Sequence, residues 1–225
     1  MQNTQHWDFR AEEVKVIEVD ADGGDIVLAA EEGITIKVEL TGDFKPGKTE
    51  LAMKIEKSRL VLTVKSKKSW FFFGGSCKNG FKISAPSRTL LAVKNGLGKV
   101  SIAGFAAGAA ISSGAGEVQL HGLSGPISVK SGAGTVNGEI YSEDLEVKSG
   151  AGAVNLAWTK NPGSGSARIK NGAGSTTLAF PEGSKVAVKF KSGAGTMTNE
   201  LGEDSSAPFK VEVKSGAGSL AVKKF

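Results

Sequence analysis

Apolar and polar residues alternate with a period of two along most of this chain, as in Glu146-Val147-Lys148 and Gly116-Glu117-Val118-Gln119-Leu120. That period places alternate side chains on opposite faces of an extended strand, one toward a core and one toward solvent. From residue 90 to 225 no stretch holds the 3.6-residue period over the roughly 10 to 12 residues of an ordinary helix. Before residue 88, Val14 to Val19, Ile34 to Leu40, Leu51 to Ile55 and Leu60 to Val64 read as alternating strands joined by polar turns. The pattern predicts an all-β protein.

A repeat organises these strands. The tetrad Ser/Asn-Gly-Ala/Leu-Gly begins at Asn95, Ser113, Ser131, Ser149, Asn171, Ser192 and Ser215, at spacings of 18, 18, 18, 22, 21 and 23 residues. An apolar residue and usually a lysine precede each tetrad, and an apolar residue usually follows after one free position. A fainter copy, Val19-Asp20-Ala21-Asp22-Gly23-Gly24-Asp25-Ile26-Val27-Leu28, carries Asp20 where the others usually have lysine. The repeating architecture thus begins early, with an insertion between about residues 41 and 88.

At about 3.3 Å per residue, 18 residues trace roughly 60 Å, one circuit around a thin core. The spacing predicts a glycine-rich β-solenoid of about seven coils over 89–225, with 1–88 as a strand-rich N-terminal cap continuous with it. Equivalent residues then stack in ladders about 4.8 Å apart. The inner ladders are expected to run Val93, Ile111, Val129, Val147, Ile169, Phe190, Val213 and Val100, Val118, Val136, Val154, Thr176, Met197, Leu220. The paired glycines, Gly96/Gly98, Gly114/Gly116, Gly132/Gly134, Gly150/Gly152, Gly172/Gly174, Gly193/Gly195 and Gly216/Gly218, are assigned to tight structural turns, since glycine has no Cβ to clash there. Turn-rich inserts, Lys160 to Ser166 and Gly202 to Ser206, account for the longer units.

The early Asp22-Gly23-Gly24-Asp25 strand, the Lys-rich Trp/Phe/Gly loop at 65–76 and the Val-Lys-Ser-Gly-x-Gly coils together resemble the bacterial "putative adhesin" family of β-strand-repeat domains. The resemblance covers nearly the whole chain. It implies a β-solenoid-like fold and an association with cell envelopes and envelope-stress systems, and it transfers no catalytic residues. Family members often carry Ser-Gly-Asp at the turn, where this chain has Gly-Ala-Gly, a departure that removes an acidic ladder.

Composition narrows the chemistry. Glycine supplies 31 of 225 residues, about twice the usual share of roughly 7%, but only 6 prolines rule out a collagen-like chain. Apolar residues at 40% suffice for a buried core. The net charge of +5 permits anionic partners without demanding them, and no specific nucleic-acid recognition is expected. One cysteine, Cys77, excludes an intrachain disulfide, and with only His6 and His121 no Cys/His metal cluster or cofactor site is expected. The segment Met1 to Asp8 lacks the basic start and apolar stretch of a secretory signal, so the expected location is cytoplasmic, or the envelope or exterior if a leader was removed.

Two features are candidates for binding. Lys94, Lys130, Lys148, Lys170, Lys191 and Lys214 form a ladder broken only by Ser112. A polyanion along it would relieve ammonium repulsion and release counterions, while the plainer role of such lysines is solubility and protection against lateral strand pairing. Trp70, Phe71, Phe72 and Phe73, beside Lys65, Lys67 and Lys68, suit a membrane interface, a homo-oligomer contact, a partner anchor, or a plug over the solenoid end. The Gly-x-Gly turns lead into strands rather than helices, so they are not dinucleotide fingerprints, and they lack the recurring Asp of calcium-binding repeats. Asp and Glu recur at no evident ladder position, and His121, beside Gly122, is read as a space-filling turn residue. The sequence therefore points to a non-catalytic binding or adhesion module engaging an anionic surface or polymer, such as membrane headgroups or an envelope polymer. A self-associating structural scaffold is the alternative.

Overall fold

The computed structural model describes residues 3–42, 49–66 and 80–225, and nearly all of them lie in strands or the turns between strands. In chain order the strands are β1 (Asn3–Arg10), β2 (Val16–Ala21), β3 (Asp25–Ala30), β4 (Thr35–Gly42), β5 (Thr49–Glu56), β6 (Arg59–Ser66), β7 (Gly80–Ala85), β8 (Leu90–Leu97), β9 (Val100–Ala103), β10 (Ala109–Ala115) and β11 (Val118–Ser124). There follow β12 (Ile127–Ala133), β13 (Val136–Tyr141), β14 (Asp144–Ala151), β15 (Val154–Trp158), β16 (Gly165–Ala173), β17 (Thr176–Phe180), β18 (Val186–Ala194), β19 (Met197–Asn199), β20 (Phe209–Ala217) and β21 (Leu220–Lys224).

They form two open sheets. One runs β1-β4-β7-β3-β9-β11-β13-β15-β17-β21-β19, the other β18-β20-β16-β14-β12-β10-β8-β2-β6-β5. From β8 onward the chain alternates between the sheets, laying one strand in each per turn, and successive turns pair in parallel. The glycine tetrad joins the two strands of a turn. An added Cβ at Gly134, where φ is +124°, would strike the carbonyl oxygen of Gly116 in the turn below. Only glycine lets the corners nest at this spacing.

The assignment of both glycines of each pair to tight turns is corrected by the structure. The first of each pair extends a strand, as Gly96 does in β8, Gly193 in β18 and Gly216 in β20. Only the second stands at the corner, and the corner is not a hydrogen-bonded turn. Gly98 is a bend with φ +116°, whereas Gly195 and Gly218 are plain connections at +153° and +154°. The reason is that the backbone bonds run up the stack instead of across the corner. The Gly98 N–H donates to the Ala115 carbonyl at 3.1 Å, and that of Gly218 to the Ala194 carbonyl at 2.7 Å. Gly195 lies on the outermost rung, directly against Gly218.

The inner ladders form as the alternation requires. Ile111 lies in register with Val93 and Val129, Val129 with Val147, and Val147 with Ile169, all buried. The second ladder, Val100 to Thr176, lies in register across the other sheet. Each such side chain taken out of water contributes about 1.5–3 kcal/mol before entropy is subtracted. The longer turns wrap an aromatic corner. Trp158 stacks on Phe180 with centroids 4.5 Å apart, Phe209 meets both edge-on at 5.9 and 6.3 Å, and Trp158 Nε1 donates to the Ser142 carbonyl at 2.9 Å.

The order of the last turns also differs from expectation. The C-terminal turn, β20/β21, is inserted between β16/β17 and β18/β19, so the ladders run Ile169, Val213, Phe190 and Thr176, Leu220, Met197. Phe190 and Met197 consequently occupy the end of the stack. Phe190 is half-buried and Met197 is 39% exposed. Phe209 explains the choice: its ring completes the aromatic corner beside β16, a place where β18 offers only Val186.

At the N-terminal side, β2 and β3 form a turn in parallel register with β8 and β9, as the faint early copy implies. The inserted segment returns β6 and β7 alongside that turn, again in parallel. Beyond them β5 and β4 pair antiparallel, followed by β1 on β4. The strands before residue 88 thus share both sheets with those after it.

Candidate functional site: the cationic face

The outward residues of the β18-to-β5 sheet form rows across the strands. In register, the lysine row reads Lys94, Ser112, Lys130, Lys148, Lys170, Lys214, Lys191, with Asp20 beyond Lys94. The six candidate lysines are brought together, and the inserted turn puts Lys214 before Lys191. Lys130, Lys148, Lys170, Lys214 and Lys191 are successive rungs of one cationic stripe. At about 4.8 Å per rung the stripe is roughly 19 Å long.

Two residues further along each strand the side chains vanish. Gly132, Gly150, Gly172 and Gly216 lie beside the lysine row and floor an open groove of ≈ 680 Å³, with Lys130, Lys148, Lys170 and Lys214 along its wall. These are the strand glycines of their pairs. The corner glycines Gly98, Gly195 and Gly218 do not line the groove. Close packing between turns imposes the floor, since a Cβ on Gly132 would meet the Gly114 carbonyl oxygen. Beneath it runs a buried row, Asn95, Ser113, Ser131, Ser149 and Asn171. Asn171 Nδ2 donates to the carbonyls of Gly152 (3.1 Å) and Gly174 (3.2 Å), and Asn95 Nδ2 to that of Gly24 (2.9 Å).

Carboxylates temper the stripe, and the sequence reading missed them. Two residues before the lysine row comes Ser128, Glu146, Arg168, Glu212, Lys189, alternating in sign from Glu146 onward. Lys148 Nζ lies 2.7 Å from Glu146 Oε1, and Lys214 Nζ lies 3.0 Å from Glu212 Oε1. The hydrogen bond from Lys148 holds the Glu146 carboxyl below its ordinary range, and that from Lys214 does the same for Glu212. Acid-x-Lys triplets, Glu146-Val147-Lys148 and Glu212-Val213-Lys214, were the available signal, because period two puts both charges on one face. Among the described residues, Lys130, Lys170 and Lys191 make no ion pair within 4.0 Å. Lys94 approaches Asp20 at 3.8 Å, and Asp20 also binds Lys65 at 2.9 Å, raising the Lys65 ammonium above its usual range through that hydrogen bond.

One row of the opposite face is neutral. Gln119, Asn137, Asn155 and Thr177 occupy one row. Asn155 Nδ2 donates to Asn137 Oδ1 at 2.9 Å, and Asn137 Nδ2 and Gln119 Nε2 converge on Glu117 Oε1 at 3.1 and 2.8 Å. The Gln119 bond, then the Asn137 bond, hold the Glu117 carboxyl below its ordinary range. His121 does not fill space in a turn. It is exposed on β11, where a bulge at Gly122 shifts the pairing with β13.

Trp70, Phe71, Phe72, Phe73 and Cys77 lie outside the described residues. Among the described residues, no group of three or more His, Cys, Asp or Glu side chains is placed to hold a metal ion.

A family model described as Toastrack DUF4097 matches residues 14–224. No curated protein matches the chain. Among solved structures, a "putative cell adhesion protein" from Clostridium sporogenes ATCC 15579 aligns over 100% of both chains at 11% identity and a TM-score of 0.43. A "putative adhesin" from Bacteroides fragilis NCTC 9343 aligns over 98% of this chain and 97% of its own, at 14% identity and a TM-score of 0.40. A "putative lipid binding protein" from Parabacteroides distasonis ATCC 8503 covers 99% and 97% at 10% identity and a TM-score of 0.33.

Proposed function

The chain belongs to the Toastrack DUF4097 family, and from that premise we propose that it is a non-catalytic binding module holding a linear anionic polymer along its glycine-floored, lysine-walled groove. One observation carries the reading: five lysines on successive rungs beside a row without side chains. Ammonium groups cannot hydrogen-bond one another, and Glu146 and Glu212 pair only Lys148 and Lys214, so Lys130, Lys170 and Lys191 gain from an anion laid along the row. The bare glycines let a chain of phosphate or carboxylate groups approach the backbone while the ammonium groups fold over it. Counterion release then supplies affinity that falls as salt rises.

The test measures binding of long-chain inorganic polyphosphate to the full chain, with phosphatidylglycerol and phosphatidylcholine vesicles as parallel arms. K130A/K148A/K170A should weaken polyphosphate binding at least tenfold and flatten the salt dependence by about 2 in log–log slope. Binding to phosphatidylglycerol vesicles in place of the free polymer would assign the face to a membrane surface. If the triple variant binds as tightly as the parent, the reading fails.

A further inference from the structure

The stack ends at β18 and β19, which have no strand on their outer sides among the described residues. A strand edge of this kind presents unpaired N–H and C=O groups to solvent. The core beneath it is incompletely covered, although Leu201 packs against it and Glu203 and Asp204 line a cleft shared with Val188 and Lys189. Val188 and Phe190 are half-buried, whereas Val211 and Val213, one rung in, are buried.

Charge identifies what fits there. The row Glu146, Arg168, Glu212, Lys189 alternates rung by rung and stops on a cation. Beside it, Lys191 ends the lysine row. At the other end of the stack the molecule extends itself by setting acid against base on neighbouring strands: Arg59 of β6 binds Glu18 of β2 at 3.1 Å, and Lys65 of β6 binds Asp20 at 2.9 Å. Lys189 and Lys191 lie two residues apart on one face of β18, with Phe190 between them pointing to the core side.

We propose that the outer edge of β18 is a docking site for an extended strand of a partner protein in which carboxylates alternate with apolar residues. The main chain of that strand would add one more rung by hydrogen bonding, its apolar residues would cover Val188 and Phe190, and its carboxylates would face Lys189 and Lys191. A second copy of the chain paired through the same edge, β18 against β18, supplies no carboxylate to Lys189 or Lys191, since Val186–Ala194 contains none, and so does not match the alternating occupant.

The experiment titrates the full chain with fluorescently labelled peptides of alternating valine and glutamate, valine and lysine, or valine and serine, read by anisotropy. The glutamate peptide should bind at least tenfold more tightly than the serine peptide. K189E/K191E should reverse the order and prefer the lysine peptide. Hydrogen exchange of the bound complex should slow selectively at residues 186–194. Equal binding of all peptides, or an unreversed preference in K189E/K191E, would overturn the proposal. So would sedimentation showing that the protein alone dimerises through this edge and excludes the peptide.

Discussion

The two broad faces of the stack are built on one backbone lattice and solve the same problem in opposite ways. Each must place identical or similar groups about 4.8 Å apart, rung after rung. On the amide row the groups both donate and accept, so Asn155 bonds Asn137, and Asn137 and Gln119 both donate to the Glu117 carboxylate. On the cationic face the groups are ammoniums, which only donate. They turn aside to Glu146 and Glu212 where a carboxylate is at hand, and otherwise face solvent. A repeat therefore leaves one row bonded along its length and to the adjacent Glu117, and the other in need of further counter-charge, although both derive from the same register.

The largest expected effect comes from breaking the lattice both faces share. Gly134→Val places a side chain against the Gly116 carbonyl at a φ of +124°. It should cost more than about 4 kcal/mol, read as loss of the cooperative urea transition. Gly183→Ala, at a φ of +79° with open space around it, should cost only about 1–2 kcal/mol. Next, Trp158→Ala removes the centre of the aromatic corner and should lower stability by about 3–5 kcal/mol in the same measurement.

Smaller effects separate the faces. Glu146 and Glu212 have folded-state pKa values below their ordinary ones. Their ion pairs thus stabilise the fold above the ordinary carboxylate pKa of about 4.3, and that contribution is lost as pH falls through the lowered values. Protonation in that window also frees Lys148 and Lys214. Binding of dextran sulfate, whose own charge is constant there, should tighten several-fold on acidification. E146Q/E212Q should bind more tightly already at neutral pH and show a diminished acid-side rise. On the other face, Asn137→Ala should cost about 1 kcal/mol and leave polyanion binding unchanged. Least of all, Ser131→Asn should shift the melting temperature only slightly, and upward if its amide reaches the corner carbonyls as Asn171 does.

The rows were legible in the sequence because period two and a recurring tetrad fix which residues share a face and a height. The all-β class, the inner ladders and the lysine alignment follow from that. The division of labour within each glycine pair was not legible, because Gly96 and Gly98 look alike as residues and differ only in whether the chain is still extended there. Nor was the order of the last two turns: both read Val-x-Val/Phe-Lys-Ser-Gly-Ala-Gly at their corners, and local pattern does not say which one rests on β16. Only the fit of Phe209 against Trp158 and Phe180 decides it, a contact between residues far apart in sequence. The antiparallel β4 and β5 likewise had a strand signal but no register signal, and β1 was not read as a strand. Glu146 and Glu212 escaped notice because acids recur on alternate rungs rather than on every rung. His121 was misplaced because the bulge at Gly122 gives the look of a turn.

The inserted turn also sets a timetable. A ribosome delivers residues 186–199 before 209–225, so the earlier segment meets the open side of β16 while its eventual neighbour is still unmade. Residues 186–194 and 209–217 carry the same pattern, and in the finished stack only the later segment lies on β16. In the finished stack the contact of Phe209 with Trp158 and Phe180 favours the later segment beside β16. The order of the stack is therefore secured by residues made after those they displace to the outer rung.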